Sequence, residues 1–278
     1  MKLFISADIE GIGGVATWEQ ARTKGADYER ARRWMTDEVN TAIEGAIEGG
    51  VTEVVVRDAH GAARNILWES LHPKAFLISG WGPSSDMLQG LDETFDLVML
   101  IGYHPGPSTP GGLLSHCFTQ RILDLRLNDN PGSEALIAAL QAGCVGVPVG
   151  LVTGQAELEE EIRPALPKCA FVATKRGMYY QSALLEPLAT VRARIRESAR
   201  RAVSDRIAGT GPEPFQPEPP VRLELELSTL ESASAIEGID GIERVSAGGC
   251  VITDNEAGAV LRRFFTALTI LYATKDLP

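Results

Sequence analysis

Three short apolar segments of this chain run directly into residues that can bind a metal ion. KLFIS (2–6) leads to Asp8 and Glu10, VTEVVVRDAH ends in His60, and LVMLIGYH ends in His104. Parallel β-strands bring their carboxyl ends to one edge of a sheet, and ligands of open α/β sheets bind at that edge. Two carboxylates and two imidazoles suit zinc or a similar divalent ion. The sequence therefore predicts a metal site on a mainly parallel sheet.

The pattern between these segments predicts an α/β fold with helices on both faces of the sheet. Apolar residues recur at helical spacing from Tyr28 to about Gly49, with Asp27 as a possible cap. Alternation of strands with such helices is typical of a parallel sheet. Further strands are predicted at 53–56, 75–78, 97–101, 122–128, 147–152 and 170–174, and further helices at 66–70, 133–142 and about 184–207.

A Pro-rich segment, GTGPEPFQPEPP (209–220), predicts a connector between two parts of the chain. After it, VRLELEL (221–227) alternates strictly, which is typical of a strand with one solvated face, and a helix is predicted at about 256–272. We therefore expect an α/β metal-binding catalytic domain over 1–208 and a smaller α+β portion over 221–278.

Composition narrows the class of partner. The net charge is −11, which disfavours nucleic acid and anionic membrane surfaces and favours cationic or zwitterionic small substrates. No apolar stretch reaches the roughly 18 residues of a membrane span, and the N-terminal residues lack a secretory pattern. The four cysteines show no CxxC spacing. We expect reduced thiols and a cytoplasmic location.

Asp8 and Glu10 are two residues apart, so in extended backbone both carboxylates point the same way. They can face one metal ion, or Asp8 can bridge two; solvated acids at a strand end are the alternative. Asp58 can orient an imidazole or cap the next turn. Glu134, at a predicted helix N-terminus, is explained by the helix dipole alone.

The segment HPGPSTPGGLLS (104–115) predicts a loop, and His116 follows it. Functional residues favour such loops on rigid scaffolds. His116 can be a metal ligand, a general acid–base group or a nucleophile. Cys117 is a less favoured nucleophile because no partner for it is evident. His72, next to Pro73, is expected to be structural.

SADIEG, DAHG, GYH, STPGG, SH and ND followed by a Glu resemble, in this order, the zinc-dependent D-aminopeptidases. The resemblance is strong from residue 1 to about 150 and looser to the end. It implies a hydrolase with two Zn²⁺ per subunit. Asp8 would bridge the ions, and Glu10, His60, His104 and Glu134 would complete their shells. His116 would match the nucleophile proposed for the family. The family also implies a homodecamer of two stacked five-fold rings, enclosing a chamber that short peptides enter.

Two features depart from the family pattern. GGLLSH (111–116) is one residue longer than usual, and Gln155-Ala156 stand where the family has two aspartates. An acid that could bind the substrate's ammonium group is therefore missing, which bears on the D-amino-acid preference. Our first hypothesis is an aminopeptidase releasing N-terminal residues, D-amino acids by resemblance, with His116 transferring a proton. The alternatives are a binuclear hydrolase of a phosphoester or cyclic amide, and a non-catalytic dipeptide-binding protein.

Overall fold

The computed structural model describes residues 1–82 and 86–274. In chain order its strands are β1 (Lys2–Ala7), β2 (Glu53–Asp58), β3 (Ala75–Ile78), β4 (Leu97–Tyr103), β5 (Ile122–Leu127), β6 (Asn130–Pro131), β7 (Val149–Gln155), β8 (Ala170–Tyr179), β9 (Ser182–Leu185), β10 (Val221–Leu227), β11 (Ile242–Arg244) and β12 (Gly249–Asp254). Its helices are α1 (Trp18–Ala21), α2 (Tyr28–Gly49), α3 (Glu134–Cys144), α4 (Leu158–Ile162), α5 (Leu188–Ile207), α6 (Leu230–Ile236) and α7 (Ala257–Ala273).

The larger sheet has seven strands in the order β3-β2-β1-β4-β7-β8-β9. All neighbours pair in parallel except β8 and β9, which form an antiparallel edge. Side chains of β1 alternate between two apolar cores: Leu3 and Ile5 pack with α2 and α5, whereas Phe4 packs with α3 and α4. Because both faces are covered, the central strands are apolar along their length. The predicted α/β class with helices on both faces is confirmed.

The smaller sheet is antiparallel and has the order β11-β12-β10-β5-β6. Its apolar side packs on α6 and α7 around residues such as Leu223, Leu225 and Phe264. The strands β5 and β6 lie before the Pro-rich connector but pair into this sheet. The domain division into 1–208 and 221–278 stays a prediction. The smaller sheet contains strands from both of these ranges.

Several element boundaries differ from the sequence-based expectations. The helix predicted at 66–70 is a single 3₁₀ turn, Trp68–Ser70. The helix predicted from about 184 begins only at Leu188, because 182–185 forms β9 and Pro187 precedes the first turn. Asp27 stands before α2 but its side chain makes no capping hydrogen bond. Among the described residues, no helix has the length and apolar character that crossing a membrane requires.

Candidate metal centre

The carboxyl ends of β1, β2 and β4 meet at one edge of the larger sheet. In parallel register, Ala7 is opposite Asp58 on one side and Ile101 on the other. Asp8, His60 and His104 follow these strand ends and therefore converge. The backbone then turns sharply at Gly11, whose N–H donates to the carbonyl of Gly102 at 2.7 Å. A Cβ at Gly11 would lie 1.9 Å from the Tyr103 carbonyl oxygen, so only glycine fits there.

The two oxygens of the Asp8 carboxylate face different imidazoles. Oδ1 lies 3.0 Å from Nδ1 of His60, and Oδ2 lies 3.5 Å from Nε2 of His104. Glu10 completes one side, with Oε2 2.9 Å from His60 Nδ1. Glu134, in the first turn of α3, completes the other, with Oε2 3.5 Å from His104 Nε2. The five residues that the family resemblance implies as metal ligands thus lie in one cluster, in which Asp8, Glu10, His104 and Glu134 are buried and His60 is partly exposed.

Each of three imidazoles is held by one backbone carbonyl. The ring nitrogens that face carbonyls are His60 Nε2 (Ala21 O, 2.7 Å), His104 Nδ1 (Pro105 O, 2.9 Å) and His116 Nδ1 (Leu114 O, 2.9 Å). A ring nitrogen facing a carbonyl carries the proton, which leaves the second nitrogen of a neutral ring as a lone-pair donor. In all three residues that second nitrogen points at the carboxylates.

The cluster fits a cation. Among the described residues, Asp8 Oδ2, Glu10 Oε2 and His104 Nε2 are buried without a hydrogen-bond partner, although ionic groups lie close to them. Unpartnered buried polar atoms are unfavourable unless a bound ion compensates them. Ligand atoms lie within 4.8 Å of one another in two overlapping groups: Asp8, Glu10 and His104, and His104, His116 and Glu134. Carboxylate oxygens and imidazole nitrogens are among the ligands that zinc takes in proteins.

The pKa shifts of the clustered side chains indicate an excess of negative charge, which also favours a bound cation. Burial lowers the pKa of His104, but the carboxylates of Glu134 and Asp8 outweigh burial and raise it to about 10. The pKa of His60 is likewise well above its usual value, since Glu10 and Asp8 overcome desolvation. Burial opposes ionisation of Asp8 and Glu134, yet the imidazoles keep both pKa values below normal. The carboxylates therefore stay ionised and attract positive charge.

His116 belongs to the same site. Its ring stacks on that of His104 with centroids 4.3 Å apart, and its Nε2 lies 3.8 Å from Glu134 Oε1. The ring edge contact with Trp18, 5.4 Å between centroids, closes the other side. The loop that precedes His116 thus delivers it to the cluster despite the additional residue in GGLLSH.

Three other residues considered in the sequence analysis have structural roles or are buried. The Asp58 carboxylate accepts hydrogen bonds from the Ile66 N–H and the Asn65 side chain, both at 2.7 Å, so it caps the turn after β2. Cys117 is fully buried, and burial raises the pKa of its thiol well above normal, which leaves it unreactive. The ring of His72 accepts a hydrogen bond from the Lys74 N–H.

Gln155 braces the loop that carries His116. Its side chain is fully buried. Oε1 accepts from the Leu113 N–H at 2.8 Å, and Nε2 donates to the Gly111 carbonyl at 3.0 Å and to Glu157 Oε2 at 2.6 Å. The amide at this position is therefore committed to the backbone of the loop. Sequence reasoning treated it only as a missing acid, because its partners are backbone atoms that no sequence pattern marks.

A buried lysine and a buried glutamate hold the turn that carries Glu10. Lys175 Nζ donates to the carbonyls of Glu10, Ile12 and Val15. Glu38 Oε1 accepts from the Gly13 N–H at 2.8 Å. Burial lowers the pKa of Lys175 to about 7 and raises that of Glu38 to about 7. Sequence analysis missed both; the one available signal was a lysine inside the apolar run of β8.

The cluster opens into a cavity of about 880 Å³. Its walls carry large aromatic and cationic side chains, namely Trp18, Trp81, Phe118, Tyr272, Arg22 and Arg121. A cavity of this size is typical of a small-molecule site. An anionic, imidazole-lined centre at the floor of such a cavity, on the carboxyl edge of a parallel sheet, is the arrangement of a metallohydrolase.

Comparison with known proteins identifies the family. The model of peptidase family M55, described as D-aminopeptidase, matches residues 1–266, and the chain belongs to this family. A D-aminopeptidase of Bacillus subtilis (strain 168) is 38% identical over 176 residues, which are 63% of this chain and 64% of that protein. A solved structure, the Zn-dependent D-aminopeptidase DppA from Bacillus subtilis, a self-compartmentalizing protease, superposes with a TM-score of 0.89. It is 29% identical, over 99% of each chain.

Proposed function

We propose that this chain is a zinc-dependent aminopeptidase that releases N-terminal D-amino acids from short peptides. Asp8, Glu10, His60, His104 and Glu134 would hold two zinc ions. The observation that carries the proposal is the common orientation of the imidazoles: each gives one nitrogen to a backbone carbonyl and directs the other at buried carboxylates. Asp8 is suited to bridge, since its two oxygens face His60 and His104 separately.

Zinc in such a site polarises the scissile carbonyl and acidifies water. The protein's own contribution is proton transfer. With its Nδ1 proton donated to the Leu114 carbonyl, neutral His116 has a free lone pair on Nε2. That nitrogen can take a proton during attack and return it to the leaving amine. Direct attack by His116, which the family resemblance implies, is the competing role.

The substrate class follows from the family and the cavity. A volume of about 880 Å³ accommodates a short peptide, and both relatives are named D-aminopeptidases. At the departure from the family pattern, the Gln155 amide braces the loop before His116. The position that carries an aspartate in the family therefore makes a structural contact in this chain.

The proposal is tested on purified protein by metal analysis and hydrolysis assays. We expect two zinc ions per chain and cleavage of D-alanyl-D-alanine in preference to L-alanyl-L-alanine. Glu10→Ala should lose activity, whereas Glu69→Gln, a change in the exposed 3₁₀ turn, should keep it. Turnover no greater than that of Glu10→Ala would reject the enzyme. Cleavage of phosphoesters or cyclic amides alone, or peptide binding without cleavage, would favour the corresponding alternative.

We also propose that the chain forms the ten-subunit double ring implied by the resemblance. The solved relative is described as self-compartmentalizing. Apolar side chains are exposed at opposite edges of the larger sheet, Phe76 on β3 and Leu184 on β9. Contacts between unlike edges generate a ring when the rotation between neighbouring subunits closes. Light scattering should give the mass of ten 29.9 kDa chains; a monomer would contradict the proposal.

A further inference from the structure

The short helix α1 lies against two of the imidazoles. The ring of Trp18, its first residue, contacts His116 edge-on at 5.4 Å and 67°. The carbonyl of Ala21, its last residue, accepts a hydrogen bond from His60 Nε2 at 2.7 Å. Arg22 follows at once and ends the helix, with its N–H bonded to the Trp18 carbonyl at 2.9 Å. Arg22 is therefore one residue removed from a direct contact with the metal centre.

Among the described residues, Arg22 and Arg121 line the cavity. The two guanidinium groups differ in whether hydrogen bonds within the protein already occupy them. Arg121 Nη1 donates to the carbonyl of Leu271 at 2.9 Å and to Thr274 Oγ1 at 3.0 Å, so the end of α7 occupies it. The guanidinium of Arg22 lies over the ring of Trp18, with Cζ 4.8 Å from the ring centroid. Among the described residues, no carboxylate lies within 4.0 Å of it.

We propose that Arg22, positioned by Trp18, binds the C-terminal carboxylate of a short peptide whose first residue lies at the metal centre. This inference rests on the proposed aminopeptidase function. A peptide carboxylate that loses water on entering the cavity needs a compensating cation nearby. A guanidinium presents a planar fork that matches a carboxylate. The cation–π contact with the indole of Trp18 positions the guanidinium.

The consequence is selectivity for very short peptides with a free carboxyl end. In a dipeptide the carboxylate lies close to the scissile bond. In a longer peptide or a C-terminal amide, the group next to Arg22 is neutral. We therefore expect the enzyme to discriminate between D-alanyl-D-alanine and its C-terminal amide, which differ only in that charge.

The test compares these two ligands in turnover and in binding. We expect kcat/KM for the acid to exceed that for the amide by about tenfold, the effect of one partly solvated charged hydrogen-bond pair. Calorimetry in a Glu10→Ala background, where turnover is removed, should show the same preference in Kd. Arg22→Leu should bring both ratios close to one, and Arg22→Lys should give intermediate values.

Arg30→Leu is the matched control. Arg30 stacks on Trp34 at 4.9 Å in the same way but does not line the cavity, so this variant should keep the preference of the native enzyme. An equal Kd for acid and amide in the parent, or a preference that survives Arg22→Leu, overturns the inference. Tighter binding of the acid without any cleavage would uphold it while rejecting the proposed function. Cleavage without preference would do the reverse.

Discussion

The rings of His104 and His116 are parallel to within 5°, with their centroids 4.3 Å apart. Both direct Nε2 at Glu134, where each faces a different carboxylate oxygen. Since Asp8 relates His60 to His104 in the same way, imidazoles and carboxylates alternate through the site. The two stacked rings have different surroundings. His104 is fully buried, whereas His116 lines the cavity.

His116→Gln should lower kcat by about 10²- to 10⁴-fold, the usual contribution of a general acid–base group. The zinc content should not change, because Nε2 of His116 is proposed to act on substrate. Elemental analysis and steady-state kinetics check both expectations. His72→Gln, a change outside the site, should behave like the native protein. Loss of zinc from His116→Gln would instead place this residue among the ligands.

Gln155→Leu should destabilise the protein and lower its kcat. The change leaves the buried Leu113 N–H unpaired, at about 1–3 kcal/mol, and removes the hydrogen bond to the carbonyl of the exposed Gly111. The loop before His116 should then move, so kcat should fall as the free energy of unfolding does. Gln216→Leu removes one hydrogen bond, to the Gly143 carbonyl, and should lower stability by about 1 kcal/mol with normal kcat. Equal kinetics for both variants would contradict a bracing role.

Lys175→Met should weaken zinc binding by about 10- to 100-fold, the typical cost of losing a group that orients a metal ligand. Three carbonyls of the turn that carries Glu10 would lose their donor. Adding Glu38→Gln removes the buried carboxylate left without its cation, so stability should recover while zinc affinity should not. Competition with a chelator dye gives the affinities. Recovery of zinc affinity in the double variant would show that charge, not turn geometry, matters.

Zinc removal should make stability depend on alkaline pH. The pKa of His104 is raised to about 10 in the folded protein, against 6.5 for an unperturbed imidazole. Its protonation therefore stabilises the fold fully below pH 6.5, and this contribution is lost as the pH rises through about 10. Asp8 and Glu134 have lowered pKa values, so their contribution is lost toward acid pH instead.

Urea denaturation of the zinc-free protein between pH 6 and 10 should show this decline. In the zinc-loaded protein His104 Nε2 would face an ion rather than a proton, so the decline should be absent. His104→Gln should also remove it from the zinc-free protein, and His72→Gln should not. A pH-independent stability of the zinc-free native protein would show that the carboxylates do not hold a proton on His104.

The residues brought together at the strand ends were predictable, because buried parallel strands are apolar along their length and end at a common edge. The apolar runs ending in His60 and His104 carried that information. The pairing of β5 with β10 was not predictable. It joins Leu125 to Leu225 across the chain, and such long-range pairing leaves no local pattern. The roles of Gln155, Lys175 and Arg22 were missed for a related reason: their contacts are with backbone and aromatic groups positioned by the tertiary fold.

The hydrogen bond between the Ala21 carbonyl and His60 Nε2 gives the site a thermodynamic linkage. The Ala21 carbonyl orients the ring of His60, which is proposed to bind zinc. The same contact anchors the segment that carries Arg22, which is proposed to bind the peptide. By reciprocity, whatever factor an occupied Arg22 adds to zinc affinity, zinc must add to peptide affinity. If that factor exceeds one, the enzyme would be saturated with metal most readily when its substrate is abundant.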